Sequence, residues 1–163
     1  MPRTKVFYFI PNLQQGGPEG QILALINRLP ARFEPVLCVY HGDNVFWDAR
    51  CPPGQPAHDL GVRRMNLRAL DRLTEILRQE KPAIVHSYRD KANFWARWAA
   101  RRAGVPITIT GCRNRMMGLP YLASEWFLQR MSKVILANSA GVKHELVHWA
   151  GVDEDKVRVI YNL

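Results

Sequence analysis

The chain has 163 residues, which fits one domain of about 100–200 residues and suffices to bury a core without disulfide bonds. Hydrophobic residues make up 47% and charged residues 23%, a balance typical of globular proteins that excludes a disordered or collagen-like chain. The net charge of +9 comes from 23 basic and 14 acidic side chains, and it raises the question of an anionic partner.

The first elements along the chain alternate between strand and helix patterns. The apolar run 5–10 predicts a buried strand, and the glycine-rich sequence PNLQQGGPEG predicts a loop after it. From Glu19 onward, apolar residues at helical spacing predict a helix, with Pro18 at a first-turn position that tolerates proline. Residues 36–40 predict a second strand, and the stretch 41–56 is rich in loop-forming residues.

The remainder of the chain continues the same alternation. We predict a short strand at 62–67, an amphipathic helix around 70–77, further strands at 83–86, 107–110, 134–137 and 157–160, and helices at 92–103, 121–131 and 142–149. Alternating strands and helices predict a Rossmann-like α/β fold, a doubly wound, mainly parallel sheet of about six or seven strands with helices on both faces. Ligands bind such sheets at the carboxyl ends of strands, so the loops after the predicted strands are the candidate sites.

The sequence predicts a cytoplasmic protein. No apolar run reaches the ~20 residues that cross a bilayer, and the apolar run before Pro11 is shorter than the core of a signal peptide, ~7–15 residues. The three cysteines, Cys38, Cys51 and Cys112, form no C-x-x-C pair, which fits a reducing compartment.

Gly16 and Gly17 lie between the first predicted strand and helix. Paired glycines allow a backbone to approach a ligand closely, and the free N–H groups at a helix start form an anion site. The sequence matches neither G-x-G-x-x-G nor the Walker pattern, so we expect no dinucleotide cofactor. A turn that merely requires glycine is the alternative interpretation.

The positive charge is concentrated in one half of the chain. Ten basic and three acidic residues lie between His86 and Ala150, so seven of the nine net charges fall within 65 residues. This favours a phosphorylated ligand or an anionic membrane surface, whereas a solvated basic face is the alternative. Nucleic acid is the least favoured partner, because no nucleic-acid-binding motif accompanies the aromatic residues near Arg97.

His144, Glu145 and His148 form an H-E-x-x-H pattern. On a helix both imidazoles would lie on one face, where Zn²⁺ could bind with Glu145 as the base. Only nine residues follow Glu154, which leaves no room for a Met-turn, and we interpret the three as surface residues of a helix. We therefore expect no metal site.

Three segments together resemble a known family. They are the strand followed by GGPEG and ILALINRL, the stretch KPAIVHSYRDKANFWARWAARRAGVPITITG, and VILANSAGVKHELVHWAGVDEDKVRVIYNL. In order and spacing they resemble the N-terminal domain of family 4 (group 1) glycosyltransferases with the GT-B fold. The resemblance covers almost the entire chain and implies a hexosyltransferase-like enzyme of cell-envelope or polysaccharide biosynthesis.

The resemblance implies two Rossmann-like domains, of which residues 1–163 form the acceptor-side one and residues 157–163 begin the linker. The absent C-terminal domain would hold the nucleotide-sugar, and transfer would retain the anomeric configuration without a cofactor or essential metal. We therefore expect this half to be inactive alone. The partners implied are a nucleotide-sugar, an acceptor glycan, lipid or small molecule, the donor domain, and by peripheral contact the anionic inner face of a membrane.

The resemblance also assigns candidate site residues. Gly16 and Gly17 match glycines whose N–H groups approach the donor diphosphate, and His86 matches the histidine that closes the fourth strand, the candidate catalytic residue. Tyr88 stands where many relatives have a second histidine. Arg113 lies in a loop where some relatives have a sugar-contacting histidine, so it is assigned to a phosphate or an anionic acceptor. The residues expected around the acceptor cleft are Glu19, Tyr88, Asn93, Arg113, Asn114 and Ser139.

Two alternatives from other functional classes stay open. One is a non-catalytic Rossmann-type module that binds a phosphorylated ligand, which the glycine-rich loop and the basic half would serve without chemistry. The other, more remote, is a zinc hydrolase that uses His144, Glu145 and His148.

Overall fold

A computed structural model of the chain describes residues 3–14, 17–41, 54–113 and 118–161. These residues form a seven-stranded sheet in the order β3-β2-β1-β4-β5-β6-β7, in which every neighbouring pair is parallel. The strands are β1 (Thr4–Ile10), β2 (Phe33–Val39), β3 (Ala57–Asp59), β4 (Ile84–Tyr88), β5 (Ile107–Cys112), β6 (Val134–Ala137) and β7 (Val157–Val159). The predicted Rossmann-like, doubly wound fold is confirmed.

The helices follow the strands in alternation. They are α1 (Gly17–Arg28), α2 (Leu67–Glu80), α3 (Asp90–Ala103), α4 (Leu119–Leu128) and α5 (Ala140–His144), which continues as one π-helical turn at Glu145–Trp149. Short 3₁₀ turns lie at Gln129–Met131 and Glu154–Lys156. In the described part of the chain, no helix is both long and apolar enough to cross a membrane.

Local chemistry determines where several helices begin and end. The Asn66 side chain accepts a hydrogen bond from the Ala69 N–H at 2.9 Å and caps α2. Ser139 caps α5 in the same way, through the Val142 N–H. At the other ends, Lys81 and Gly104 adopt left-handed conformations that stop α2 and α3.

The central strands are buried on both faces, which explains their uninterrupted apolar sequences. Because side chains alternate along a strand, β1 and β2 contribute to two cores. The α1 side of the sheet contains Val6, Tyr8, Ile10, Ile22, Ile26, Leu37 and Val39. The α2 and α3 side contains Phe7, Phe9, Val36, Cys38, Leu70, Leu73, Leu77 and Ala96. A third cluster joins β5, β6 and β7 to α4 and α5 through Cys112, Leu122, Ile135, Val142, Leu146 and Val157.

The strand predicted at 62–67 is wrong. The strand next to β2 is instead β3, whose residues pair with Leu37–Val39 and carry little apolar area, so the sequence pattern did not reveal it. The Val62 N–H donates to the Tyr40 carbonyl at 2.7 Å, and the chain then turns towards the cap of α2 at Asn66. The apolar side chains of Val62 and Met65 pack on the core without extending the sheet.

Arg97 is buried at the centre of α3 and is about 1% exposed. Its Nη1 and Nη2 donate to the Glu125 carboxylate at 2.7 and 2.6 Å, and its Nε donates to Ser132 Oγ at 2.8 Å. Nη2 also donates to Thr110 Oγ1 at 3.0 Å. Burial alone lowers the pKa of Arg97, but the Glu125 carboxylate raises that pKa above its ordinary value, so the guanidinium stays charged. This basic residue ties α3 to α4 and the sheet, and it is unavailable to any partner.

Candidate functional site

The carboxyl ends of β4, β5 and β6 meet at one edge of the sheet, because all strands are parallel. A cavity of about 280 Å³ opens there between these strand ends and α1. It is lined by Gln21, Ala24, Leu25, Arg28, His86, Tyr88, Arg113, Leu136, Ala137, Asn138, Ile160 and Tyr161. Apolar walls with a few convergent polar groups are typical of small-molecule sites.

His86 lies on β4 and reaches this cavity from the sheet. Its ring centroid is 5.6 Å from that of Tyr8 and 4.4 Å from that of Tyr88. Burial, with a smaller contribution from the Arg113 charge, lowers the pKa of His86 to about 3. The imidazole is therefore neutral at physiological pH and suited to hydrogen bonding, whereas so weak a base is poorly matched to proton abstraction.

Arg113 directly follows β5 and is held by three other elements. Its guanidinium carbon lies 4.8 Å from the centroid of the Tyr88 ring, and its Nη1 donates to Gln21 Oε1 on α1. Asn138, which follows β6, donates from Nδ2 to the Arg113 carbonyl at 3.3 Å. Burial lowers the pKa of Arg113 below its ordinary value although Tyr88 and Glu19 oppose the shift. The result is a positioned cation at the cavity.

Glu19 and Arg89 lie beside the start of α1. The Glu19 carboxylate is about 1% exposed, and its Oε1 lies 3.6 Å from Arg89 Nη2. The first turn of a helix favours a negative charge, which stabilises this buried carboxylate. Arg89 connects β4 to α3 with a φ of +77°, a conformation that is strained for any residue except glycine.

Three buried polar atoms at this edge have no hydrogen-bond partner in the described protein. They are Glu19 Oε2, His86 Nε2 and Asn138 Oδ1. Buried polar atoms are paired in the great majority of cases, and each unpaired one costs about 1–3 kcal/mol. Their concentration at the carboxyl edge marks it as the candidate functional site.

The structure brings together some of the predicted site residues and separates others. His86, Tyr88 and Arg113 share the cavity, and Glu19 acts electrostatically on Arg113. Gly17 begins α1 and is exposed, with space for a Cβ atom because nothing lies within 4 Å of it. Gly16 and Asn114 lie outside the described residues.

Asn93 and Ser139 support the edge from within the fold. Ser87 Oγ donates to Asn93 Oδ1 at 2.8 Å, and Asn93 Nδ2 donates to the Gly111 carbonyl at 3.0 Å. Asn93 is fully buried, so its amide fastens β4 to β5 beneath the cavity. The Ser139 hydroxyl accepts the Val142 N–H at 3.2 Å as the cap of α5.

The H-E-x-x-H pattern lies on α5 and its π-helical turn, away from this edge. The rings of His144 and His148 are adjacent, with centroids 4.3 Å apart, whereas Glu145 is buried at about 2% exposure. Among the described residues, no three His, Cys, Asp or Glu side chains are grouped as metal ligands.

Sequence reasoning missed Tyr8, Gln21, Arg89 and Asn138. Arg89 and Asn138 directly follow strands, so the rule that ligands bind after strand ends could have found both. Gln21 and Tyr8 reach the site only through the packing of α1 and β1 against β4, which no local pattern reveals.

The sequence of the chain matches a known protein family. A model of Glycosyltransferase Family 4 matches residues 15–163. A comparison of the sequence with curated proteins gives no significant match.

Three solved structures illustrate the likeness in fold. HepE from Anabaena, in complex with UDP and glucose, has a TM-score of 0.81 at 14% identity, over 98% of this chain and 44% of that one. The apo form of the lipopolysaccharide outer core galactosyltransferase WaaB has a TM-score of 0.76 at 15% identity, over 98% and 46%. The UDP-GlcNAc 2-epimerase of Methanocaldococcus jannaschii has a TM-score of 0.71 at 15% identity, over 98% and 46%. This chain spans less than half the length of each.

Proposed function

The chain belongs to glycosyltransferase family 4, and we propose that it is the acceptor-side half of an enzyme that transfers a sugar from a nucleotide-sugar to an acceptor. The observation that carries the proposal is the group of unpaired buried polar atoms beside Arg113 at the carboxyl edge of the sheet. Open α/β sheets bind ligands at that edge. The UDP and glucose of HepE and the name of the galactosyltransferase WaaB support a nucleotide-sugar donor.

Within this proposal, the backbone of Gly17 stabilises the leaving diphosphate. Its N–H belongs to the first turn of α1, where free backbone donors and the helix dipole favour an anion. A donor diphosphate placed there gains stabilisation as the glycosidic bond to the sugar breaks and negative charge develops on the leaving oxygen. The exposed backbone at Gly17 allows a close approach.

In this proposal His86 and Arg113 contact the acceptor substrate. Because the His86 imidazole is neutral and its Nε2 is unpaired, it hydrogen-bonds a substrate hydroxyl and orients it for attack. Arg113, fixed by Gln21 and Tyr88, binds an anionic group of the acceptor or the donor phosphate. Asn93 binds the Gly111 carbonyl of β5 and the Ser87 hydroxyl of β4, so it holds together the strands that carry these residues, and Ser139 caps α5.

Binding of the nucleotide-sugar donor requires a second domain. In this proposal a donor domain closes over the carboxyl edge, holds the nucleotide-sugar and excludes water, and transfer retains the anomeric configuration without a metal. The coverage of 44% of HepE and 46% of WaaB supports a two-domain enzyme. In this proposal the donor clamp belongs to the second domain, so the chain alone is expected to be inactive.

The first experiment measures sugar transfer from nucleotide-sugars by the 163-residue chain. We expect binding without turnover: weak affinity for UDP-sugars by calorimetry and no transferred sugar. Turnover by the chain alone would show that it is not half of an enzyme. Binding of mononucleotides and phosphorylated compounds without any preference for nucleotide-sugars would favour the non-catalytic binding module.

The second experiment changes Gly17 to valine in a protein that carries both halves. A branched side chain at the start of α1 blocks the close approach of the diphosphate, so we expect kcat/KM to fall on the order of 100-fold. Gly17→Ala is the matched control and should lose less, since its methyl group meets nothing within 4 Å. Circular dichroism should show both variants folded. Unchanged kinetics of Gly17→Val would contradict the phosphate role.

A further inference from the structure

The walls of the cavity at the carboxyl edge are mostly apolar. Ala24 and Leu25 line the cavity from α1, and Leu136 and Ala137 line it from β6. Ile160 follows β7 and completes this wall, where its N–H donates to the Ala137 carbonyl at 2.9 Å. The side chains of Leu25 and Ile160 remain 36% and 59% exposed. These walls therefore favour an apolar group in the cavity.

Gly111 leaves space on the floor of this cavity. In the sheet it lies between Tyr88 of β4 and Leu136 of β6, and both of these residues line the cavity. A Cβ atom at Gly111 would lie 3.3 Å from Cδ1 of Tyr88 and 3.4 Å from the Ser87 carbonyl oxygen. Any larger residue would press on the Tyr88 ring and occupy space between the two strands. The cavity is therefore formed by the packing of the sheet itself.

Two buried atoms without a partner in the described protein belong to residues that line this cavity. They are His86 Nε2 and Asn138 Oδ1. Asn138 Nδ2 donates to the Arg113 carbonyl at 3.3 Å, so the amide is oriented with Oδ1 left as a hydrogen-bond acceptor. The neutral His86 imidazole can accept or donate, depending on its tautomer. A hydroxyl group, which both donates and accepts, matches these two atoms.

The charged side chains that line the cavity are both positive. They are Arg28 and Arg113, and no carboxylate is among the described lining residues. A substrate with an ammonium group would meet like charge here without a counter-ion, which disfavours its binding. The site therefore suits a hydroxyl and not an amine as the attacking group.

A sugar ring fits these walls poorly. A hexose has hydroxyl groups around its whole ring, and those that face Ala24, Leu25 and Leu136 would lose their hydrogen bonds to water. Each buried hydroxyl without a partner weakens binding on the order of tenfold. The Tyr88 ring offers little surface for stacking, because it is only 4% exposed and already contacts Arg113 and His86.

We propose that the acceptor is an alcohol whose hydroxyl group is attached to an apolar body, aromatic or aliphatic, and not a glycan. This inference rests on the proposed transferase function and names the substrate class of the same site. The hydroxyl group lies against His86 and Asn138, and the apolar body lies beside Leu25. In the transfer, the hydroxyl oxygen bonds to the anomeric carbon, the bond from that carbon to the diphosphate breaks, and the hydroxyl proton leaves with the diphosphate.

The test is an NMR titration of the ¹⁵N-labelled chain with three compounds: 2-naphthylmethanol, n-octanol and methyl α-glucoside. We expect the two apolar alcohols to shift the amide signals of Leu25, Leu136 and Asn138. Their Kd should be at least about tenfold lower than that of methyl α-glucoside, because each buried methylene group tightens binding about fourfold. The tighter of the two alcohols identifies the apolar body as aromatic or aliphatic.

A change in the apolar wall tests where the body lies. Leu25→Asn places an amide at the wall and should weaken the binding of both apolar alcohols on the order of fivefold. Leu119→Asn is the matched control, since Leu119 is 81% exposed at the start of α4 and does not line the cavity. It should leave all three affinities unchanged. Circular dichroism verifies that both variants fold.

A second variant tests recognition of the hydroxyl group. Asn138→Leu removes the acceptor oxygen at similar volume, so the affinity for 2-naphthylmethanol should fall on the order of tenfold. The hydrocarbon 2-methylnaphthalene is the internal control, and its affinity should not fall, because it has no hydroxyl group to lose a partner. An equal loss for both compounds would show that Asn138 does not contact the hydroxyl group.

The outcomes separate this inference from the proposed function on which it rests. Tighter binding of methyl α-glucoside than of either alcohol would overturn the inference and assign a glycan acceptor to the same transferase. Absence of alcohol binding, with UDP-glucose still shifting the signals of Gly17 and Tyr88, would overturn the inference alone. Absence of UDP-glucose binding at that edge would contradict the proposed function itself.

Discussion

Two buried polar clusters in this protein differ in how completely their atoms are paired. Around Arg97, the Glu125 carboxylate and the Ser132 hydroxyl accept hydrogen bonds at 2.6–2.8 Å. At the carboxyl edge, by contrast, Glu19 and His86 each keep a buried atom without a partner. The first arrangement stabilises the fold. The second leaves polar atoms unpaired at a position where a substrate can form hydrogen bonds with them.

Residue type alone does not distinguish structural from functional residues in this chain. Arg97 and Arg113 both belong to the basic half of the sequence, but Arg97 is fully buried and Arg113 is half-buried. Arg97 is held by a bidentate pair with the Glu125 carboxylate inside the fold, whereas Arg113 contacts Gln21 and Tyr88 at the cavity and interacts electrostatically with Glu19. The two guanidinium groups differ in location, one inside the fold and one at the cavity.

The largest expected effect is the loss of stability when the ion pair between Arg97 and Glu125 is broken. Glu125→Ala leaves the Arg97 guanidinium buried without its counter-ion, so we expect the free energy of unfolding to fall by about 3–5 kcal/mol. Chemical denaturation at neutral pH measures this. The control replaces both partners, Arg97→Met with Glu125→Leu, and should recover most of the loss because no charge then stays buried. Equal losses in both variants would contradict a dominant role for the ion pair.

The next effect concerns His86 and the pH dependence of stability. The pKa of His86 is about 3 in the folded protein and near its ordinary value of 6.5 when unfolded, so the unfolded state binds the proton first as the pH falls. The contribution of His86 to the free energy of unfolding is therefore largest above pH ~6.5 and decreases towards pH ~3. Between pH 7 and pH 5 it decreases by about 2 kcal/mol.

Denaturation of the chain and of His86→Leu at both pH values tests this expectation. The other histidines titrate in the same way in both proteins, so their contribution cancels when the two free energies of unfolding are subtracted. We expect the chain to lose about 2 kcal/mol more than the variant on acidification. An identical pH dependence in both would show that the imidazole titrates normally and is not buried.

The smallest expected effect concerns the strained backbone at Arg89. Glycine accepts a φ of +77° without strain, but any neutral substitution of Arg89 also removes the charge 3.6 Å from the Glu19 carboxylate. Arg89→Ala loses the same charge and keeps the Cβ atom, so it is the matched control. We expect the free energy of unfolding of Arg89→Gly to exceed that of Arg89→Ala by about 1 kcal/mol in chemical denaturation. Equal stability of the two variants would show that the backbone at Arg89 is not strained.

The sequence was sufficient for most of the fold because its signals are local. Buried parallel strands produce continuous apolar runs, and six of the seven strands lie where such runs predict them. The exception, β3 at Ala57–Asp59, is a short edge strand whose position depends on pairing with β2 and not on its own apolar residues. Helix boundaries moved by one to three residues at capping positions such as Asn66 and Ser139.

The candidate site was only partly predictable for a physical reason. Arg113 follows from the rule that ligands bind after strand ends, whereas His86 was expected at the end of its strand and lies within β4, and the family resemblance placed both near the acceptor. Gln21 and Tyr8 enter through tertiary packing between elements that are far apart in sequence. The roles of Asn93 and Ser139 became visible only with their hydrogen bonds, which fasten the strand ends and cap α5.

The most direct test of the account maps the binding of a nucleotide-sugar onto the chain by NMR. Titration of the ¹⁵N-labelled protein with UDP-glucose should shift the amide signals of Gly17, Tyr88 and Arg113 at the carboxyl edge. The signal of Ser132, beside the paired cluster, should stay in place. Shifts confined to Ser132 and its neighbours, or an unperturbed carboxyl edge at saturating ligand, would contradict the assignment of that edge as the substrate surface.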